Sequence, residues 1–104
     1  MCLFDSRILM GAYLDKPVED KNPEYGSNEM CWWGACGMQG WRCGMEDAHI
    51  CEPVDLPDGA KGMLFGVFDG HGGKEVALFA QKHYKNKLIN NSEFKNKNYV
   101  EALK

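Results

Sequence analysis

The stretch Phe68-Asp69-Gly70-His71-Gly72-Gly73 sets a carboxylate and an imidazole two residues apart within a run of glycines. A carboxylate can hold a hard cation, and an imidazole can give up a proton near neutral pH. Gly70 leaves no side chain beside Asp69, so its own carbonyl can approach a ligand, while Gly72 and Gly73 permit a sharp turn. Taken alone, Asp-Gly-His-Gly-Gly is equally well a tight turn and nothing more. A second cluster lies upstream in WRCGMEDAH, where Arg42 precedes Glu46 and Asp47. Arginine's planar fork suits a phosphate, and carboxylate oxygens suit magnesium or manganese. On a regular strand Glu46 and Asp47 point to opposite faces, so at most one of them faces a given site and the other acts through water. In isolation such a cluster is more often a surface arginine paired with a surface acid. Together, three acids, one arginine and one histidine match the chemistry of metal-assisted phosphoryl transfer.

These residues need elements to position them. MLFGVFD, Met63 to Asp69, is short, rich in Phe and Val and apolar on both alternating faces. That pattern predicts a central strand covered on both sides, with Asp69 at its exit. A helix is predicted after the glycines, because Val76, Phe79, Ala80, Tyr84 and Leu88 recur at three- to four-residue steps, and it should end at Asn90-Asn91-Ser92. The partial positive charge of its first turn would favour an anion. Upstream, WWGACGMQGW and MEDAHIC read as two strand segments around a turn or bulge, and EPVDLPDGAKG as a connecting loop. Trp32, Trp33 and Trp41 read as sheet-packing or core residues rather than a ligand platform. Residues 1–27 show neither strand nor helix periodicity, carry Pro17, Pro23 and Gly26, and read as a leader or covering segment. Residues 28–104 read as the folded portion. Tyr99, Ala102 and Leu103 begin a further helical pattern.

Composition narrows the function classes. The chain has 104 residues, 12 Lys plus Arg against 15 Asp plus Glu, and a net charge of -3, which argues against a nucleic-acid partner. Hydrophobic residues at 44% suit a globular chain, and no run approaches the ~20 apolar residues of a membrane span. At this length one domain is the ceiling. The five cysteines, Cys2, Cys31, Cys36, Cys43 and Cys51, include no Cys-x-x-Cys pair, and they read as scattered thiols in a reducing compartment rather than a zinc site or disulfide framework. With no secretory signal in view, the expected location is cytoplasmic, with the nucleus also open.

The segments GMQGWRCGMEDAH, Gly37 to His49, and LFGVFDGHGGKEVA, Leu64 to Ala77, resemble two signature segments of the metal-dependent protein phosphatases of type 2C. MGAYLDKP, Met10 to Pro17, resembles the start of many eukaryotic members, and FKNKNYVEALK resembles the approach to their second helix. The likeness therefore runs over nearly all of residues 10–104.

What the resemblance implies is an α+β fold, the N-terminal part of a four-layer α-β-β-α sandwich in which antiparallel sheets are flanked by helices. The implied activity is hydrolysis of phosphoserine and phosphothreonine on proteins by a metal-activated water, with two Mg2+ or Mn2+ ions in a complete site. By the same likeness Glu46 and Asp69 are metal ligands, Asp69 bridging the two ions, and the Gly70 carbonyl ligates one of them. Arg42 holds the substrate phosphate, and His71 is the general acid that protonates the departing oxygen. Asp47 is a nearby acid acting through hydrogen bonds or metal-bound water. The remaining metal-binding aspartates of such a domain are expected downstream of Lys104. Two divalent ions bring four positive charges against two negative ones from Glu46 and Asp69, so the 104 residues alone are expected to be inactive.

Two other readings follow from the same residues. A catalytically dead decoy or regulatory module would keep Arg42 and the surface while lacking a complete metal cage. A small thiol or metal protein would instead be built on the cysteines. The nine residues before Met10 make Met10 a candidate initiator. Gly11 would then be a candidate lipid-anchor site, although Asp15 stands where myristoylation prefers Ser or Thr.

Overall fold

The computed structural model describes residues 13–104. The candidates Cys2, Met10 and Gly11 therefore lie outside the described residues. The described chain is α+β and divides into two compact units that meet in sequence at Met45 and Glu46.

The first unit is a long antiparallel hairpin, β1 (Tyr13–Ser27) with β2 (Trp32–Arg42). Asn28 makes its turn: its side-chain oxygen accepts from the amides of Met30 at 2.8 Å and Cys31 at 2.9 Å. The segment read as an aperiodic leader thus forms a strand over most of its length. Its register shifts between Tyr13 and Val18 and again between Val18 and Lys21. Irregular pairing of this kind breaks the period-two signal on which a strand is recognised. The tryptophans also differ from expectation. Trp33 lies over Gly26, its ring atoms 2.7 to 2.9 Å from where a side-chain carbon on that glycine would sit. Trp32, its neighbour, points to the opposite face and is 88% exposed, and Trp41 is exposed as well. A two-stranded ribbon offers no second layer to bury both faces.

The second unit begins with another antiparallel hairpin, β3 (Ala48–Asp55) and β4 (Lys61–Phe68), paired without a slip from Ala48↔Phe68 to Asp55↔Lys61. Glu52 to Asp55, expected in the loop, belong to β3. The loop proper is tight: Leu56 and Ala60 bond across it at 2.9 Å, and Gly59 adopts φ +81°. Helix α1 (Glu75–Asn90) follows, then the one-turn helices α2 (Ser92–Lys95) and α3 (Tyr99–Ala102). Asn91 ends α1, donating its backbone N–H to the Leu88 carbonyl, and its side chain accepts from Glu93 N to start α2.

Val54, Leu88 and Phe94 form the centre of the core, one from each of β3, α1 and α2, with Leu56, Leu64, Tyr84, Ile89, Tyr99 and Ala102 packed around them. Tyr84 meets Phe68 edge-on at 5.6 Å, and Tyr99 meets Phe94 in the same way at 5.4 Å. Two expectations shift here. The buried side of α1 runs through Ala77, Tyr84 and Leu88, whereas Val76 is 79% exposed and Phe79 is exposed too. The small Ala77 lets the helix approach the sheet closely, which turns its bulkier neighbours away. Likewise β4 has one strand neighbour, β3, and its Phe65 and Val67 face outward among the described residues. Among the described residues no helix is long and apolar enough to cross a membrane.

Candidate functional site

The antiparallel register decides which predicted residues meet. Ala48 opposes Phe68, so the chain entering β3 and the chain leaving β4 lie at the same end of the sheet. Glu46 and Asp47 precede the first of these positions, and Asp69, Gly70 and His71 follow the second. Neither Glu46 nor Asp47 is in a strand, but their exposure alternates as expected: Glu46 is half-buried and Asp47 exposed.

Gly70 is where the two segments touch. A side-chain carbon built on it would overlap the Glu46 carbonyl oxygen and stand 3.1 Å from the Gly73 carbonyl. Its requirement for glycine is therefore steric, a close approach of backbone to backbone. Gly72 and Gly73 serve a different need, with φ of +72° and +126° as the chain turns into α1. Their left-handed backbone is one that other residues adopt at a cost.

Asp69, Gly70 and His71 line a cavity of about 360 Å³ whose other walls are Phe68 and the first turns of α1 at Val76, Ala77 and Ala80. Asp69 and His71 are both exposed. The first turn of α1 lacks a side-chain cap, and the Glu75 carboxylate packs against Gly73 there. The chain thus places its own negative charge at the helix start that was expected to favour an anion.

Arg42 closes β2 in the first unit, opposite Tyr13 and exposed, and its carbonyl accepts from the Gln39 side chain at 2.8 Å. The remaining candidates all belong to the second unit. Magnesium and manganese prefer oxygen donors, which Glu46, Asp69 and the Gly70 carbonyl offer in kind. In number they fall short: among the described residues no three of His, Cys, Asp or Glu stand together as a metal-holding group. The described residues do not form a metal centre by themselves. Cys31, Cys36, Cys43 and Cys51 are not joined in disulfides, and Cys36 and Cys43 are exposed.

One residue of this end escaped the sequence reading. Gln81 of α1 donates its side-chain amide to the His49 carbonyl in β3, across 32 positions of sequence. The available signal was its place in the helix: it stands on the same side as Ala77, Tyr84 and Leu88 and is polar.

The chain matches the Protein phosphatase 2C family over residues 33–104. It is 47% identical over 95 residues to Probable protein phosphatase 2C 2 of Paramecium tetraurelia, covering 91% of this chain and 31% of that protein. It is 42% identical to Protein phosphatase 2C homolog 2 of Hypocrea jecorina, with 91% of this chain and 23% of that protein covered. A plant relative, Probable protein phosphatase 2C 21 of Arabidopsis thaliana, is 46% identical over 86 residues, 83% of this chain and 23% of its own length. The chain belongs to the protein phosphatase 2C family. It spans about a third of the length of the Paramecium relatives it matches.

Proposed function

We propose that the protein hydrolyses phosphoserine and phosphothreonine on protein substrates and depends on Mg2+ or Mn2+. The observation that carries this reading is the family match over residues 33–104, which contains Glu46 and the Asp69-Gly70-His71 loop. The cavity beside that loop is the supporting geometry. Arg42 holds the phosphate oxygens through its guanidinium, the planar donor that best fits them. His71 gives a proton to the serine or threonine oxygen as it leaves, because an alkoxide is a poor leaving group until protonated. Glu46, Asp69 and the Gly70 carbonyl are this chain's share of the oxygen donors for the cations, with Asp47 acting through water.

The test is phosphate release from a phosphothreonine peptide by the full-length protein with Mn2+, compared with Asp69→Asn. A loss of at least about a hundredfold is expected, the scale on which removing one electrostatic contact at a reacting centre slows an enzyme. Undiminished turnover by the variant would sink the assignment. The 104 residues alone should not turn over, because no three metal-ligating side chains gather among those described. The same observation favours a second reading, a regulatory module that binds phosphoprotein without hydrolysing it. Phosphopeptide binding by these 104 residues with no turnover would select it.

A further inference from the structure

We propose that Gln81 is a positioning residue for the Asp69-Gly70-His71 loop, an inference that rests on the phosphatase reading of that loop. Three pieces of chain meet at this end of the second unit. The segment entering β3 carries Glu46, the segment leaving β4 carries Asp69 to His71, and the first half of α1 supplies the far wall of the cavity at Ala77 and Ala80. The Glu46 carbonyl and Gly70 already touch, backbone to backbone. Gln81, next to Ala80, ties the third piece to the first by donating to the His49 carbonyl at 2.5 Å, three residues beyond Glu46.

The tie sets a register as well as a distance. Four residues further along α1, Lys85 reaches Glu52 at 3.1 Å, three residues further along β3. The helix therefore runs alongside β3 in the same direction. Four helical residues advance about 6 Å and three strand residues about 10 Å, so the two ties sit at separate points along β3 and both oppose sliding of α1. The Lys85 pair is half-exposed and contributes little energy. Gln81 is half-buried, and a hydrogen bond shielded from water there costs more to lose. Ala77 and Leu88 still hold α1 on the sheet without Gln81, but the helix wall and the β3 start lose the tie nearest the loop, and the loop between them loses one side of its support. Displacements of an ångström at a reacting centre are enough to slow chemistry.

The test uses the full-length protein with Mn2+ and a phosphothreonine peptide. Gln81→Met keeps the length and packing of the side chain and removes the donor, whereas Gln81→Lys restores a donor at similar reach. The expected result is a fall in kcat of about tenfold for Gln81→Met with KM within about twofold, and recovery of most of kcat in Gln81→Lys. Wild-type kcat in Gln81→Met would overturn the proposal. So would equal losses in both variants accompanied by equal drops in Tm, since that marks a purely structural role. Asp69→Asn, measured in parallel, separates the two levels. If it retains activity, the reading of the loop fails. If it is inactive while Gln81→Met is unimpaired, only the positioning role fails.

Discussion

The place a side-chain carbon would occupy on Gly70 is taken by the carbonyl oxygen of Glu46. The obstacle is main chain, which has no rotamer to escape into, and the Gly73 carbonyl closes the other side at 3.1 Å. Gly70→Ala should therefore push the β4 exit away from the β3 start. A loss of roughly 2 to 3 kcal/mol in urea unfolding is expected, the cost of forcing extra volume into a filled site. Turnover by the full-length protein should fall at least about tenfold, through displacement of Asp69 and His71. Wild-type stability in this variant would mean that the close approach is not a feature of the folded protein.

Asn91 serves two helices at once, and its removal isolates a capping energy. Its backbone N–H closes the end of α1 on Leu88, while its side chain accepts from Glu93 N at 2.7 Å to open α2. Asn91→Ala keeps the first bond and loses the second, so about 1 kcal/mol of stability should go. Asn91→Asp should hold nearly all of it, because a carboxylate accepts the same bond and suits a helix start. Thermal or urea unfolding of the two variants would distinguish a lost cap from a generic surface change, for which both would be neutral.

How much of this was legible in the sequence depends on where each signal arises. The β4 strand and α1 announce themselves through an apolar run and a helical spacing, both local properties. The β1 strand does not, because its charged residues and prolines lie on a ribbon that is wet on both faces, and only pairing with β2 makes it a strand. The buried face of α1 departs from the spacing for a related reason: bulk points to Val76 and Phe79, while close packing selects Ala77. At the site, Asp69, Gly70 and His71 stand out as a motif. That Gly70 meets the Glu46 carbonyl follows from the β3–β4 register, and Gln81 reaching His49 follows from how α1 lies on the sheet. Neither relation exists before the chain folds.

Asp58 gives a pH dependence of known sign. The Ala60 amide bonds its carboxylate at 3.1 Å, and Lys97 lies 3.3 Å away, so its pKa is held below the ordinary 3.8. A carboxyl depressed in the folded state adds stability above its unfolded pKa and loses it as pH falls through the folded value. Asp58→Asn keeps an acceptor for Ala60 but removes the charge. The difference in stability between wild type and variant should be constant from about pH 5 to 8 and should shrink below about pH 4. It should also shrink in 1 M salt, since the group is exposed. Urea titrations at several pH values measure this, and a difference that grew on acidification would contradict the assignment.

Phe94 tests whether the short C-terminal helices are part of the core or merely rest on it. It is buried among Val54 of β3 and Leu88 of α1 and meets the Tyr99 ring edge to face, so one side chain joins the sheet to all three helices. Beside it lies an apolar cavity of about 290 Å³ lined by Val54, Leu56, Leu64, Leu88 and Tyr99. Truncation to alanine would enlarge that space rather than let it close, and the cost of such substitutions rises with the volume left empty. Phe94→Ala should lose about 3 to 5 kcal/mol, and Phe94→Leu a fraction of that. Val100→Ala, on the exposed side of α3, should change stability by less than about 0.5 kcal/mol. A loss from Phe94→Ala as small as that from Val100→Ala would mean that α2 and α3 do not belong to the cooperative unit. A large loss from the first alone makes the core, and with it the sheet end that carries Asp69, dependent on residues some 25 positions further along the chain.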